Sequence, residues 1–232
     1  MTRRRARCPD DDGFTLTELV VVMFILGIVL AVVQTTMVMT SRTVSDNNLR
    51  VSQTEQARAA MDAMSKLLRT AVLPSQLNGS CPSCNVAAFV QATATSVQFY
   101  ADVDNDQNLV GPSRVTYVVT AGGDLTETVQ PPDAHAPDNR SYTYCAAGPG
   151  CPVTSRVLAR NVQTTSPIFT YYDRTGAALG VVPLTAAKLA AVDSVDVVLT
   201  VRGARTQPVN PVTVTERVTL PNADAVAPPS GP

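Results

Sequence analysis

The feature that most constrains this chain is a run of 20 residues, Phe14 to Val33, reading FTLTELVVVMFILGIVLAVV. At 1.5 Å per residue, a helix of that length spans roughly 30 Å, the thickness of a bilayer's hydrocarbon core. Arg3, Arg4, Arg5 and Arg7 precede it, followed by Asp10, Asp11 and Asp12. Cations ahead of a span hold that end in the cytoplasm, so the remainder is expected outside. A cleaved secretory signal would need small residues at a cut just after the run, and Ala31-Val32-Val33 is a poor match. Nor does the helical signal stop with the apolar letters. No Gly or Pro occurs between Gly27 and Pro74, so one helix is expected from Phe14 to about Leu73, roughly 90 Å long.

Glu18 is the discordant letter. A carboxylate inside an apolar span costs about 2.5–3.5 kcal/mol at mid-membrane and less near its end. It therefore needs a partner or a task. With the apolar run behind it, Gly13-Phe14-Thr15-Leu16-Thr17-Glu18 resembles the N-terminal motif of type IV prepilins and type II secretion pseudopilins. The resemblance implies that a prepilin peptidase cuts between Gly13 and Phe14 and that the new Phe14 amine is N-methylated. It also implies that Glu18 pairs with the N-terminal ammonium of a neighbouring subunit during assembly, since each charge alone is costly in lipid.

The segment Gln34–Leu73 turns amphipathic. Ala57, Met61, Met64, Leu68 and Ala71 are spaced 4, 3, 4, 3 and form one helical stripe suited to packing on a sheet. Arg58–Asp62 and Asp62–Lys66 are i,i+4 pairs on the wet side. Pro74 ends the pattern. Alternation then predicts strands near Val86–Gln91, Ser96–Ala101, Arg114–Thr120, Asp124–Val129, Ser141–Tyr144, Ile168–Tyr172, Val195–Val201 and Val212–Leu220. A short helix is expected near Thr185–Ala191. The domain reading is a leader at 1–13, a transmembrane half-helix at 14–33, a soluble half at 34–73, a β-rich head at 74–220 and a disordered tail at 221–232. The fold class is α+β: a long N-terminal helix on an antiparallel β-rich head, like that of type IV pilins. SVQFYADVDNDQN, RVTYVV, GGDLTETV and PIFTYYDRTG also resemble the heads of PilW-type minor pilins and J-type pseudopilins.

Cys8 lies in the leader, leaving Cys81, Cys84, Cys145 and Cys151 outside the membrane. An even count there reads as two disulfides, with three pairings open. Local pairing, 81 with 84 and 145 with 151, is preferred because it staples two loops containing Gly and Pro. Cross-pairing would tie the head's start to its middle. A zinc site built from all four cysteines and a redox-active CPSC are the competing readings. Asp102, Asp104 and Asp106 alternate with Val103 and Asn105, matching the first, third and fifth ligands of a calcium loop. Gln107 stands where glycine is needed and Ser113 where the closing glutamate is needed, so the segment is read first as a turn and second as a calcium site.

These readings point to assembly, not catalysis. The single His135 sits in a Pro/Asp loop, and no nucleophile–base–orienter set can be assembled. With 18 Lys+Arg against 19 Asp+Glu and no aromatic–basic stripe, nucleic-acid binding is not expected. The family resemblance implies a minor subunit that helps initiate or cap a type IV pilus or type II secretion pseudopilus. The implied partners are prepilin peptidase, other pilin subunits, the inner-membrane assembly platform and lipid. The implied location is the cytoplasmic membrane with an extracytoplasmic head, then the cell surface. A membrane-anchored adhesin or uptake receptor that never polymerises is the alternative.

Overall fold

The computed structural model describes residues 13, 15–77, 87–105, 110–133, 142–146, 148, 150–203 and 210–223. The chain divides into two compact units, 1–48 and 49–232. One helix, α1 (Leu16–Leu68, 53 residues), begins in the first and ends in the second. In the first unit its apolar residues are exposed from Leu16 to Val33. In the second, Ala57, Met61, Met64 and Leu68 are buried, joined by Ala60 and the small polar Ser65. That face carries the predicted stripe. Arg58, Asp62 and Lys66 are on the exposed side, but no ion pair forms between them.

The helix stops five residues before the predicted end. Thr70–Val72 is drawn into sheet-like pairing: Val72 N–H donates to Tyr100 C=O, and Asp102 N–H to Thr70 C=O, both at 2.9 Å. Pairing across the sheet outweighs the helical preference of this segment. Pro74 does not merely end a helix. It opens a short one, α2 (Pro74–Leu77), where a missing N–H costs nothing.

Sheet A follows, antiparallel, in the order β1 (Phe89–Ala92), β2 (Ser96–Ala101), β3 (Ser113–Val119), β4 (Leu125–Gln130) and β5 (Thr154–Ala159). Sheet B, also antiparallel, runs β6 (Phe169–Tyr172), β7 (Ser194–Val201) and β8 (Val212–Thr219). Helix α3 (Ala186–Leu189) lies between β6 and β7 in sequence. β2 has its predicted bounds, and six other strands match within three residues. The strand expected at Ser141–Tyr144 is absent among its described residues, 142–144. β5 lies where none was expected.

Both sheets and the helix stripe share one buried cluster. The aromatics supply its spine: Phe99 packs on Phe89 and Tyr117 with ring centroids 5.8 and 6.1 Å apart, and Phe89 meets Tyr171 edge-on at 6.3 Å. Tyr117 donates to Glu127 Oε2, and Tyr171 to Thr93 C=O, so both buried hydroxyls are satisfied.

Candidate functional site

Thr15 caps α1. Its C=O accepts from Glu18 N–H at 3.0 Å and Leu19 N–H at 3.2 Å, and its Oγ1 accepts from Glu18 N–H at 3.3 Å. Thr15-Leu16-Thr17-Glu18 has the T-x-x-E spacing of a capping box, of which the threonine half forms and caps the helix start. Glu18 therefore sits in the first turn, where the helix dipole favours a negative charge. It is exposed, and among the described residues its carboxylate has no hydrogen-bond or ion-pair partner. Gly13 is exposed too, and a Cβ built on it would meet nothing within 4 Å. Phe14 lies outside the described residues.

Beyond Glu18 the helix presents apolar side chains in every direction. Phe24 is 71% exposed and Leu19–Leu30 carry no charge. None of the most apolar 18-residue window is buried within the chain. An apolar surface of this extent marks contact with a membrane or another protein. The charge-free stretch continues to Ser41. Across its polar end, Thr35 Oγ1 donates to Val32 C=O at 2.8 Å, Thr36 to Val33 at 2.8 Å and Thr40 to Thr36 at 2.9 Å. These hydroxyls are satisfied inside the helix.

The other predicted site residues belong to the second unit. Cys145 and Cys151 form a disulfide across a separation of six residues. Its loop is tied to sheet A. Gln130 Nε2 donates to Cys145 C=O at 2.7 Å, Gln130 Oε1 accepts from Arg114 Nη2 at 2.6 Å, and Arg114 lies 4.7 Å over the Tyr144 ring. Burial, with Tyr100 close by, pushes the Tyr144 hydroxyl up from its ordinary pKa, and that hydroxyl donates to Pro112 C=O. Tyr142 packs against Gly111, whose φ of +104° and crowded Cβ position suit only glycine. The disulfide removes two of the four thiolates that a zinc site built from all four cysteines would need. Cys81 and Cys84 lie outside the described residues, as does His135.

In the acidic run, Asp102 Oδ1 accepts from Asn105 Nδ2, Asn105 Oδ1 accepts from Gly111 N–H, and Asp104 is left-handed at φ 55°. The side chains thus build a turn. Asp106 lies outside the described residues. No group of three metal-binding side chains occurs among those described.

One constellation was missed in the sequence. Leu125, Glu127 and Val129 share one phase of β4, so a glutamate stands on the apolar face. Glu127 is 4% exposed, accepts from Tyr117 Oη at 3.0 Å and pairs with Arg156 Nε at 2.6 Å. Burial and the adjacent Glu127 push the Tyr117 hydroxyl far above its ordinary pKa. The hydrogen bond to Glu127 raises the Arg156 guanidinium further. The trio lies beside a groove of about 880 Å³ between α1 and β4–β5, lined by Leu67, Val103, Val129 and Pro152, with Lys66 and Arg156 also on its walls.

A family model, the prokaryotic N-terminal methylation motif, matches residues 10–33. No curated protein matches the chain. The matched residues enclose Gly13, Phe14, Thr15 and Glu18 together with the apolar run.

Proposed function

We propose, for a chain whose N-terminus carries the motif that marks the type IV pilin and pseudopilin family, a role as a minor filament subunit. The fold is of the type IV pilin kind, a long N-terminal helix followed by antiparallel sheets. The motif implies processing by a prepilin peptidase and assembly with other pilins, and the apolar helix supports membrane anchoring of a head. Within that frame, the chain is cut after Gly13, N-methylated at Phe14, and held with its head outside the cytoplasmic membrane until it enters a pilus or pseudopilus. There it initiates or caps the filament. The two-sheet head, with its disulfide-tied loop, supports a specialised subunit over a bulk one.

The observation that carries this reading is Glu18: an exposed carboxylate, unpartnered among the described residues, in the first turn of a helix that carries no further charge until Arg42, four residues past Phe14. In lipid such a charge is neutralised by an opposite charge or by protonation. An N-terminal ammonium exposed on a neighbour by cleavage supplies the opposite charge at the right depth. N-terminal sequencing and intact mass of the membrane-extracted protein test the reading. The expected species has 219 of the 232 residues and begins at methylated Phe14. A native chain beginning at Met1 overturns it.

A further inference from the structure

Among the described residues, each sheet has one covered edge and one edge without a backbone partner. On β1, Ala92 C=O accepts from Leu184 N–H, and on β6, Tyr171 C=O accepts from Leu179 N–H. The opposite edges, β5 and β8, have no such cover among the described residues.

The ladders identify which groups are free. Val198 N–H donates to Ile168 C=O and Thr200 C=O accepts from Gln163 N–H, so the even residues of β7 face away from β8. Hydrogen bonds between β7 and β8 then fall at Val212, Val214, Glu216 and Val218, and Thr213, Thr215 and Arg217 turn their N–H and C=O groups outward. In sheet A, Val119 N–H donates to Thr95 C=O. The same alternation carries the β4–β5 bonds to Thr154 and Arg156 and leaves Ser155 and Val157 facing out. Neither open strand contains Lys or Pro, two common protections of an edge.

The side chains beside the two edges are complementary. On the groove side of β5, Glu127 holds Arg156 through Nε alone, and the terminal guanidinium nitrogens have no partner among the described residues. Lys66 lines the same groove. On β8, Val212, Val214 and Glu216 share one face. Among the described residues, Glu216 is held only by an exposed Arg69 at 3.4 Å. A β8 strand laid antiparallel on β5 with this face toward the groove and Glu216 opposite Arg156 brings a carboxylate to the terminal guanidinium nitrogens and sets Val214 opposite Leu158.

We propose that β5 of one copy takes β8 of a second copy as its next strand, so that sheet A of the first continues into sheet B of the second. The contact joins two different surfaces, and such contacts close into a ring or propagate into an open run instead of forming a two-fold pair. An open run of copies ends with one free β5 and one free β8. The proposal concerns the head alone and holds or fails apart from N-terminal processing.

The test places the photocrosslinker p-benzoylphenylalanine at Val157 in the full-length protein, mixing isotope-labelled and unlabelled copies in detergent micelles, with the N-terminus of the same sample sequenced. The expected product joins position 157 of one copy to the 212–219 segment of another. Thr215→Pro, which removes an outward N–H and spares the β7 ladder, should abolish it; Ser155→Pro, placed in the crosslinker-bearing copy, should do the same from the other edge. Retention of the Cys145–Cys151 disulfide and of the circular dichroism spectrum shows that each variant folds. Overturning results are no crosslink between copies, a crosslink from β5 to β5, or a crosslink unchanged in both folded variants.

Discussion

Gln53 lies on α1 at 5% exposure, with neither its amide nitrogen nor its oxygen hydrogen-bonded. Burying an unpaired amide costs about 1–3 kcal/mol, so this side chain lowers the stability of the head. Gln53→Met keeps the shape and removes the polar atoms, and should stabilise by about 1–2 kcal/mol, read as a rise in Tm. At Glu18 the expectation concerns assembly. Glu18→Val should leave membrane insertion and peptidase cleavage intact while reducing incorporation into filaments, measured by co-purification with sheared filaments. Normal incorporation would remove the pairing role. Neither residue has the same standing in the sequence. Glu18 announces itself by being charged in an apolar run. Gln53 is one of several polar letters in the stretch 45–56 and falls one turn before the readable stripe.

Across the outer face of sheet B, Arg217 Nε and Nη2 donate to the two carboxylate oxygens of Asp196, and the guanidinium stacks 4.1 Å over Tyr172. Asp196 is held below the ordinary carboxylate range, chiefly by the hydrogen bond from Arg217. A carboxyl with a lowered folded pKa adds stability above its unfolded value, about 4, and loses that contribution as pH falls through the folded value. Asp196→Asn should therefore cost roughly 1 kcal/mol at pH 7, with screening at the half-exposed Arg217 keeping it small. The gap in Tm between the two proteins should close as pH drops below about 4. Legibility varies by element for definable reasons. β3 alternates buried and half-buried residues throughout and β2 does so over Ser96–Phe99, and the letters SVQF and RVTYVV carry that alternation. β5 does not, because Thr154–Val157 are exposed on both faces and take strand form from pairing with β4. Tyr142 and Tyr144 suggested a strand, but their burial comes from loop packing on Gly111 and Tyr100.

For the molecule as a whole, the anchoring end was readable from composition and one motif. The groove was not, because its lining comes from α1, the turn after β2, and β4–β5, which are brought together only by folding. The threonines that follow the apolar run have a consequence for how the anchor behaves. Thr35, Thr36 and Thr40 spend their hydroxyls on carbonyls of their own helix, leaving little polar surface for a solvent to satisfy. Met37, Val38 and Met39 are open between them, and the first charge after Glu18 is Arg42. The chain contains no Trp, so Met37→Trp gives a lone indole. In vesicles with brominated acyl chains its fluorescence should be quenched like that of Leu30→Trp, and unlike that of Val44→Trp. At these three threonines the rod makes no further demand on whether oil or protein surrounds it. In the proposed role, a subunit of this kind leaves the bilayer for a packed shaft without stranding the hydroxyls of Thr35, Thr36 and Thr40.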